Sequence, residues 1–349
     1  MKLNIKNLPI VNLPYENINL CKQMMLKIYE NLPFIAELPL IDPLENTLYR
    51  TVCNIPGIKL ENKKILLSDS DTETFRKALK EIDAIYNSPT IENLEKFKFD
   101  APFFEIYEQI IKRTKPHYTL IKFTGPFSFA EAVRNQNTVN LFTDKLYRKF
   151  LIQAFALKAM WFICKIQNLC SDTKVLILYD EQSLNNFSNL KREEELTSEN
   201  VISILSKIYQ KIHDSGGFVG VQSFKKCNWQ IPIDAGADLL SFDAYNNPNN
   251  LNVIAENIKN FIINGGLINW GIVPVMNENI IKSINLDFIE NKFKKTVENL
   301  SNNGVPYDLL LKHSTVSVQG DLSKIPVLHA EKALILANQL SKKLPHYAH

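Results

Sequence analysis

The chain has few cysteines, little net charge and no long apolar run, and each shortage removes a class of protein. Five cysteines in 349 residues (Cys21, Cys53, Cys164, Cys170 and Cys227) form no CxxC pair and no finger-type spacing with histidine. Such an odd, scattered set reads as reduced thiols in a cytoplasmic protein, not as a disulfide framework. The net charge of +3 comes from 40 basic and 37 acidic residues, so no excess of one sign points to nucleic acid. The basic runs Lys292-Phe293-Lys294-Lys295 and Lys342-Lys343 fall on expected helices, where a solvated face accounts for them. No apolar stretch approaches membrane-spanning length, and the opening MKLNIKNLPIVN lacks the apolar core of a signal peptide. No G-x-G-x-x-G or G-x-x-x-x-G-K-[ST] follows an expected strand, which argues against phosphate-cradling loops. No internal repeat, low-complexity tract or linker divides the chain, so 1–349 reads as one domain.

What is present is an alternation of short apolar runs with amphipathic stretches. Residues 1–31 read as a helical lead-in, with helical spacing over 18–31. A proline-bounded strand is expected at 32–39, then a helix at 42–50 with Asp42 as N-cap and Pro43 at its first position. A hairpin is expected over 58–67, with its polar tip at 61–63. Helices follow over 71–86, 90–97 and 103–114. From Thr119 the rhythm is regular. Strands are expected at 119–123, 174–179, 218–221, 239–242, 267–273 and 309–311, with 312–319 as a loop. The helix at 143–169 is rich in Leu, Phe, Ala and Met, and that stripe reads as core packing. Six strand-helix units, with room for two before them, predict a (β/α)8 TIM barrel, and an open doubly wound sheet is the rival.

In a barrel the chemistry sits just after each strand. Those positions are Glu37, Gly125-Pro126, Asp180-Glu181, Gln222-Ser223, Asp243, Pro274 and His313-Ser314-Thr315. Carboxylates that converge on one rim need a cation, an amine or a shared proton to offset their repulsion. The competing reading of Asp180 and Asp243 is structural, as caps for the loops that follow them.

The central stretch, residues 217–245, carries a resemblance. Gly220-Val221-Gln222-Ser223-Phe224-Lys225-Lys226-Cys227-Asn228-Trp229, followed by Ser241-Phe242-Asp243-Ala244-Tyr245, resembles a segment of the cobalamin-independent methionine synthases. Thr124-Gly125-Pro126 is similar to that family's T-G-P loop. Residues 177–184, ILYDEQSL, are similar to its I-D-E-P-x-L segment, with Gln182 where proline is usual. Asn269-Trp270-Gly271-Ile272-Val273-Pro274 resembles its W-G-I-V-P strand, and residues 310–330 its last strand and loop. The resemblance implies a barrel of the uroporphyrinogen decarboxylase/methionine synthase-like type and a methyltransferase acting on a small amino acid or thiol such as homocysteine. It implies a folate or a corrinoid protein as methyl donor, and no nucleic-acid or membrane partner.

It also implies a zinc site, and here the sequence departs from it. The family's His, Cys, acid and Cys positions fall on Gln222, Phe224, Asp243 and Thr315, of which only Asp243 is a ligand type. Cys227, Asp243 and His313 are the residues from which a rebuilt site would be made. Asp180 falls where the family binds the substrate amino group, which makes Asp180 and Asp243 the candidate catalytic pair. Glu37, Glu181, Gln222, Ser223, Trp270 and Ser314 are the candidate substrate contacts. Two other functions fit the same frame: a metal-free decarboxylase-type lyase, and a non-catalytic binding or partner subunit. Arg50 is the nearest arginine to the first strand-loop and sits well into the next expected helix, which argues against a porphyrinogen substrate.

Overall fold

The computed structural model describes residues 2–42, 46–61, 64–133, 141–142, 144–184, 196–276 and 278–344. A hairpin of β1 (Ile58–Glu61) and β2 (Lys64–Leu67) stands apart from the main sheet. The main sheet holds β3 (Tyr118–Thr124), β4 (Lys174–Asp180), β5 (Phe218–Ser223), β6 (Leu239–Phe242), β7 (Leu267–Val273) and β8 (Ser314–Val318). Its six strands are all parallel and lie in chain order. Nearly every strand residue is buried, as a parallel sheet with both faces covered requires.

The covering helices are amphipathic, with one exception. Lys145–Leu169 is buried on almost every side. By length and composition it is apolar enough to cross a membrane, but 83% of its apolar window lies inside the molecule, as in a core helix. Asp144 starts it by accepting from Leu146 and Tyr147 backbone N–H groups, as an N-cap does. Thr197 caps Ser198–Asp214 and Asn285 caps Leu286–Ser301 in the same way.

The closed eight-stranded barrel expected from the sequence is not what forms. The hydrogen-bonded ladder is an open, six-stranded half-barrel sheet. Between β8 and β3 run two extended segments whose strand-type pairing, among the described residues, is the isolated bridges Asn7 to Val316, Asn12 to Glu37 and Phe34 to Leu120. Prolines explain why no ladder develops there. Pro9, Pro14, Pro33 and Pro39 punctuate both segments, and each lacks the N–H that a ladder needs. The segment at 32–39 is therefore extended without being a regular strand, and residues 1–31 do more than lead in, since Leu8 donates to Val316 O.

Two further expectations are corrected. Residues 309–311 belong to a helix, Tyr307–Lys312, and the true strand is β8, inside the expected loop. Asp42 is not a cap: the helix is Thr47–Val52, with Asn46 accepting from Tyr49 N, and Pro43 lies outside the described residues. The hairpin is as expected, although tip residues 62 and 63 also lie outside the described set.

Candidate functional site

Register places a row of polar residues at one level of the sheet. Thr124 pairs with Asp180, Asp180 with Gln222, Gln222 with Ser241, Ser241 with Asn269, and Asn269 with Thr315. Paired residues on adjacent strands face the same side, so these six side chains form a belt on one face. The opposite face is aromatic: Phe123 packs on Phe162, Tyr179 on Tyr209, and Trp270 on Phe242 and Phe293. A buried parallel sheet normally carries apolar side chains on both faces. A polar belt costs free energy unless something satisfies it.

Part of the belt satisfies itself. Asn269 Nδ2 donates to Ser241 Oγ and to Ser317 Oγ, each at 2.8 Å. Gln222 Nε2 donates to the same Ser241 Oγ at 3.3 Å. The remaining acceptors are left over. Gln222 Oε1, Asn269 Oδ1 and Thr315 Oγ1 are buried and have no hydrogen-bond partner in the protein.

Beside the belt lies a buried charge cluster. Lys122, one turn of the pleat below Thr124, reaches Asp180, with Nζ to Oδ2 at 2.8 Å. Burial alone would lower the Lys122 pKa, but Asp180 and Glu37 hold it above its usual value. Glu37 is also buried. Its Oε2 accepts from Asn12 Nδ2, and its Oε1 has no partner. Burial pushes the Glu37 carboxyl upward, against the pull of Arg50 and Lys122. Arg50 is 1% exposed and donates to Ala36 O and Lys122 O, so it ties the extended segment to β3 instead of facing a ligand.

The neighbouring carboxylates have structural work. Glu181 Oε1 accepts from Phe127 N at 2.8 Å, and Oε2 from Ser128 N and Ser128 Oγ at 3.0 Å. It therefore caps the helix Pro126–Ala132 from outside, where the helix itself has no side-chain cap. Burial raises its pKa to about 7, against those three donors. Gly125 makes this approach feasible: a Cβ there would meet Glu181 Cδ at 2.1 Å. Gln182 donates to Asp180 Oδ1 and accepts from Phe224 N and Lys225 N, which ties the strand end of β4 to the loop after β5. Ser223 Oγ joins the same clamp. Asp243 accepts from Asn246 N and Nδ2 at 2.9 Å and from Gln319 Nε2 at 3.1 Å, which holds its own loop to the end of β8.

Asp180, Glu37, Gln222 and, at the next level, Asp243 are thus gathered at the strand ends. Four sequence-predicted residues are placed elsewhere. His313 precedes β8 at the opposite end of the sheet, with Nδ1 3.0 Å from Gly266 O. Ser314 Oγ accepts from Trp270 Nε1 at 2.8 Å and donates to Leu310 O, so both residues pack outward. Cys227 is buried, which pushes its thiol pKa far up and away from the thiolate a metal needs. With His313 at the far end, Cys227, Asp243 and His313 do not converge. No group of three or more His, Cys, Asp or Glu able to hold a metal occurs among the described residues. The donor set at the strand ends does not fit the family's zinc.

Lys122, Asn269 and Gln319 are functional candidates that the sequence reading missed. Lys122 was detectable, because a lysine inside the apolar run TLIKF must either surface or find a carboxylate. A cleft of about 340 Å³, lined by Lys2, Asp234, Asp238, Asn257, Asn260 and Asn264 among others, opens at the other end of the sheet. Nothing ties it to the belt.

No family model matches the chain, and no curated protein matches it. Solved structures match at low similarity. Xylanase B from Clostridium stercorarium F9 is 12% identical over 72% of this chain and 82% of its own, with a TM-score of 0.36. A prolidase complexed with N-methylphosphonate-L-proline is 9% identical over 75% of this chain and 68% of its own, with a TM-score of 0.26. At these scores neither likeness bears on fold or chemistry.

Proposed function

We propose that the strand-end face binds a small amino acid or amine, and that the chain is a zinc-free relative of the methionine synthases. One observation carries the binding part: three buried oxygens without a donor, Glu37 Oε1, Gln222 Oε1 and Asn269 Oδ1, lie on or beside one belt. An ammonium group supplies three donors and one positive charge. Each unpaired buried acceptor costs roughly 1–3 kcal/mol, so a ligand that satisfies them recovers that energy as affinity. Asp180 is already occupied by Lys122 and Gln182. Glu37 is therefore the carboxylate assigned to the ligand ammonium, with Asp180 holding Lys122 in place.

Methyl transfer to a thiol acceptor rests on the sequence resemblance. Without zinc, the thiolate would be favoured by the Lys122 ammonium, since a neighbouring cation lowers a thiol pKa. A folate or a corrinoid protein remains the implied methyl donor. Five free cysteines support a reducing, cytoplasmic setting. The decarboxylase-type reading needs free cationic anchors for several carboxylates, and Lys122 and Arg50 are both engaged within the protein.

Titration calorimetry with a panel of amino acids and amines tests the binding. An amino acid that binds wild type and loses at least about tenfold affinity in Glu37→Gln supports it. If no member of the panel binds, or if Glu37→Gln leaves affinity unchanged, the assignment fails.

A further inference from the structure

We propose that Cys53 and Lys158 form a modification site: an oxidant converts this buried pair into a covalent, reducible sulfur–nitrogen cross-link. The two residues are 105 positions apart, yet Lys158 Nζ lies 3.2 Å from Cys53 Sγ. Lys158 is fully buried on the core helix Lys145–Leu169, at 0% exposure. Its ammonium is fixed by Cys53 O at 2.8 Å, Phe97 O at 2.7 Å and Lys98 O at 3.2 Å. Among the described residues no carboxylate pairs with it. It is therefore a lysine aimed by backbone carbonyls directly at a thiol, and burial lowers its pKa. The aromatic faces of Trp161 and Phe162, each 5.9 Å away, close the other side.

Such an arrangement is needlessly expensive for packing alone. A methionine or leucine would fill the same volume without burying an ammonium. The lysine does satisfy three carbonyls at the C-terminal ends of the helix Thr47–Val52 and of the 3-10 turn Glu95–Phe97, but only the sulfur is a reactive partner. Cys53 is buried, and small oxidants reach it, on this proposal, from a neighbouring cleft. Asn54, next to Cys53 in sequence, and Lys98, whose carbonyl lies 3.9 Å from Cys53 Sγ, both line an open cleft of about 510 Å³.

The chemistry balances with hydrogen peroxide as oxidant. The Cys53 sulfur attacks one peroxide oxygen, the O–O bond breaks, and water leaves, so Cys53–SH becomes Cys53–SOH. The Lys158 ammonium gives up one proton to solvent, and the amine so formed attacks that sulfur. The S–O bond breaks, the hydroxyl leaves as water with one amine proton, and Cys53–S–NH–Lys158 remains. Sulfur is oxidised by two electrons and peroxide is reduced to two waters. Condensation of a sulfenic acid with a nitrogen is established chemistry for backbone amides, and an amine is the stronger nucleophile. A thiol reductant cleaves the bond and restores both side chains.

The full-length chain is treated with dilute hydrogen peroxide, alkylated, digested and mapped by mass spectrometry. The expected product joins the peptide of Cys53 to that of Lys158, is lighter than their sum by two hydrogens, and disappears with dithiothreitol. It is absent in Cys53→Ala, which leaves Lys158 on its three carbonyls and so tests the link without removing the buried cation's partners. Lys158→Arg provides a second control, in which Cys53 accumulates only oxygen adducts. If wild type yields oxygen adducts at Cys53 and no cross-link, the proposal is overturned. A cross-link that retains an oxygen atom would overturn the condensation step.

Discussion

Removing Lys122 and Asp180 together should cost less than the two single losses added up. The two charges sit 2.8 Å apart, with side-chain exposures of 6% and 24%. At an effective dielectric near 20, the gross attraction at that distance is about 6 kcal/mol. Desolvation offsets most of it, and removing one partner of a buried pair typically costs about 3–5 kcal/mol. Asp180→Ala strands a buried ammonium, but Glu37 remains as a second counter-charge. We therefore expect a loss of about 3 kcal/mol. Lys122→Met is milder, at about 1–2 kcal/mol, because Asp180 is partly solvated and keeps Gln182. The double variant Lys122→Met/Asp180→Ala should lose about 2–3 kcal/mol, below the sum of about 4–5 by a coupling energy of roughly 2 kcal/mol. Urea unfolding followed by tryptophan fluorescence gives all four corners of the cycle. A coupling below about 0.5 kcal/mol, the level of independent sites, would refute the reasoning.

Three other outcomes are expected. Gly125→Ala should cost about 3 kcal/mol, read as a lowered urea midpoint: its φ of −67° suits alanine, but the new Cβ displaces Glu181 from Phe127 and Ser128. His213 is held above its ordinary pKa by its 2.8 Å hydrogen bond to Asp238. A raised folded-state pKa gives stability that is fully present below the unfolded value near 6.5 and lost as pH rises through the folded one. His213→Ala should thus be more destabilising at about pH 6 than at about pH 9, and equal losses at both would rule this out. Protein purified without chelators should carry well under one zinc per chain by elemental analysis. Near-stoichiometric zinc that vanishes in Cys227→Ala would show that a metal site has been rebuilt.

Much of the sheet was legible because buried parallel strands are almost uniformly apolar, as in 174–179 and 267–273. The misplaced last strand shows where that signal stops. Leu309, Leu310 and Leu311 form a short apolar run, but Pro306 before Tyr307 and Asp308 in the first turn set up a helix. Ser314–Val318 looked like a loop because its inward side chains, Thr315 and Ser317, are polar, and the partner of Ser317, Asn269, lies on another strand. The barrel was overcounted for a similar reason: extended segments with prolines match a strand's composition without its ladder. At the site, Asp180, Gln222 and Asp243 were visible as polar groups at strand ends. Asn269 was not, because it lies within a strand, where only register reveals the belt, and Lys122 was signalled only by its charge inside an apolar run. Trp270 was assigned to the wrong face, since it stands one residue from Asn269 and side chains alternate.

The substitutions at the family's zinc positions gain meaning from the belt. Gln222 stands where the resemblance places a histidine, and Thr315 where it places a cysteine. Both are in the belt, and each holds an unpartnered atom there. Imidazole and thiolate suit a borderline-soft metal, whereas an amide oxygen and a hydroxyl suit hydrogen-bond donors on an organic ligand. Phe224, the other cysteine position, offers its N–H to Gln182 Oε1, and Gln182 in turn replaces the usual proline. A proline there could not make this clamp. Gln182 thus braces the loop and Asp180, Asp180 holds Lys122, and Gln222 presents an acceptor where the resemblance implies a metal ligand. Random decay of a zinc site would leave mismatched groups with no mutual geometry. Gln182 and Phe224 contact each other, and Gln222 and Thr315 each leave an unpartnered oxygen in the belt, which supports the proposed donor-rich small-molecule ligand.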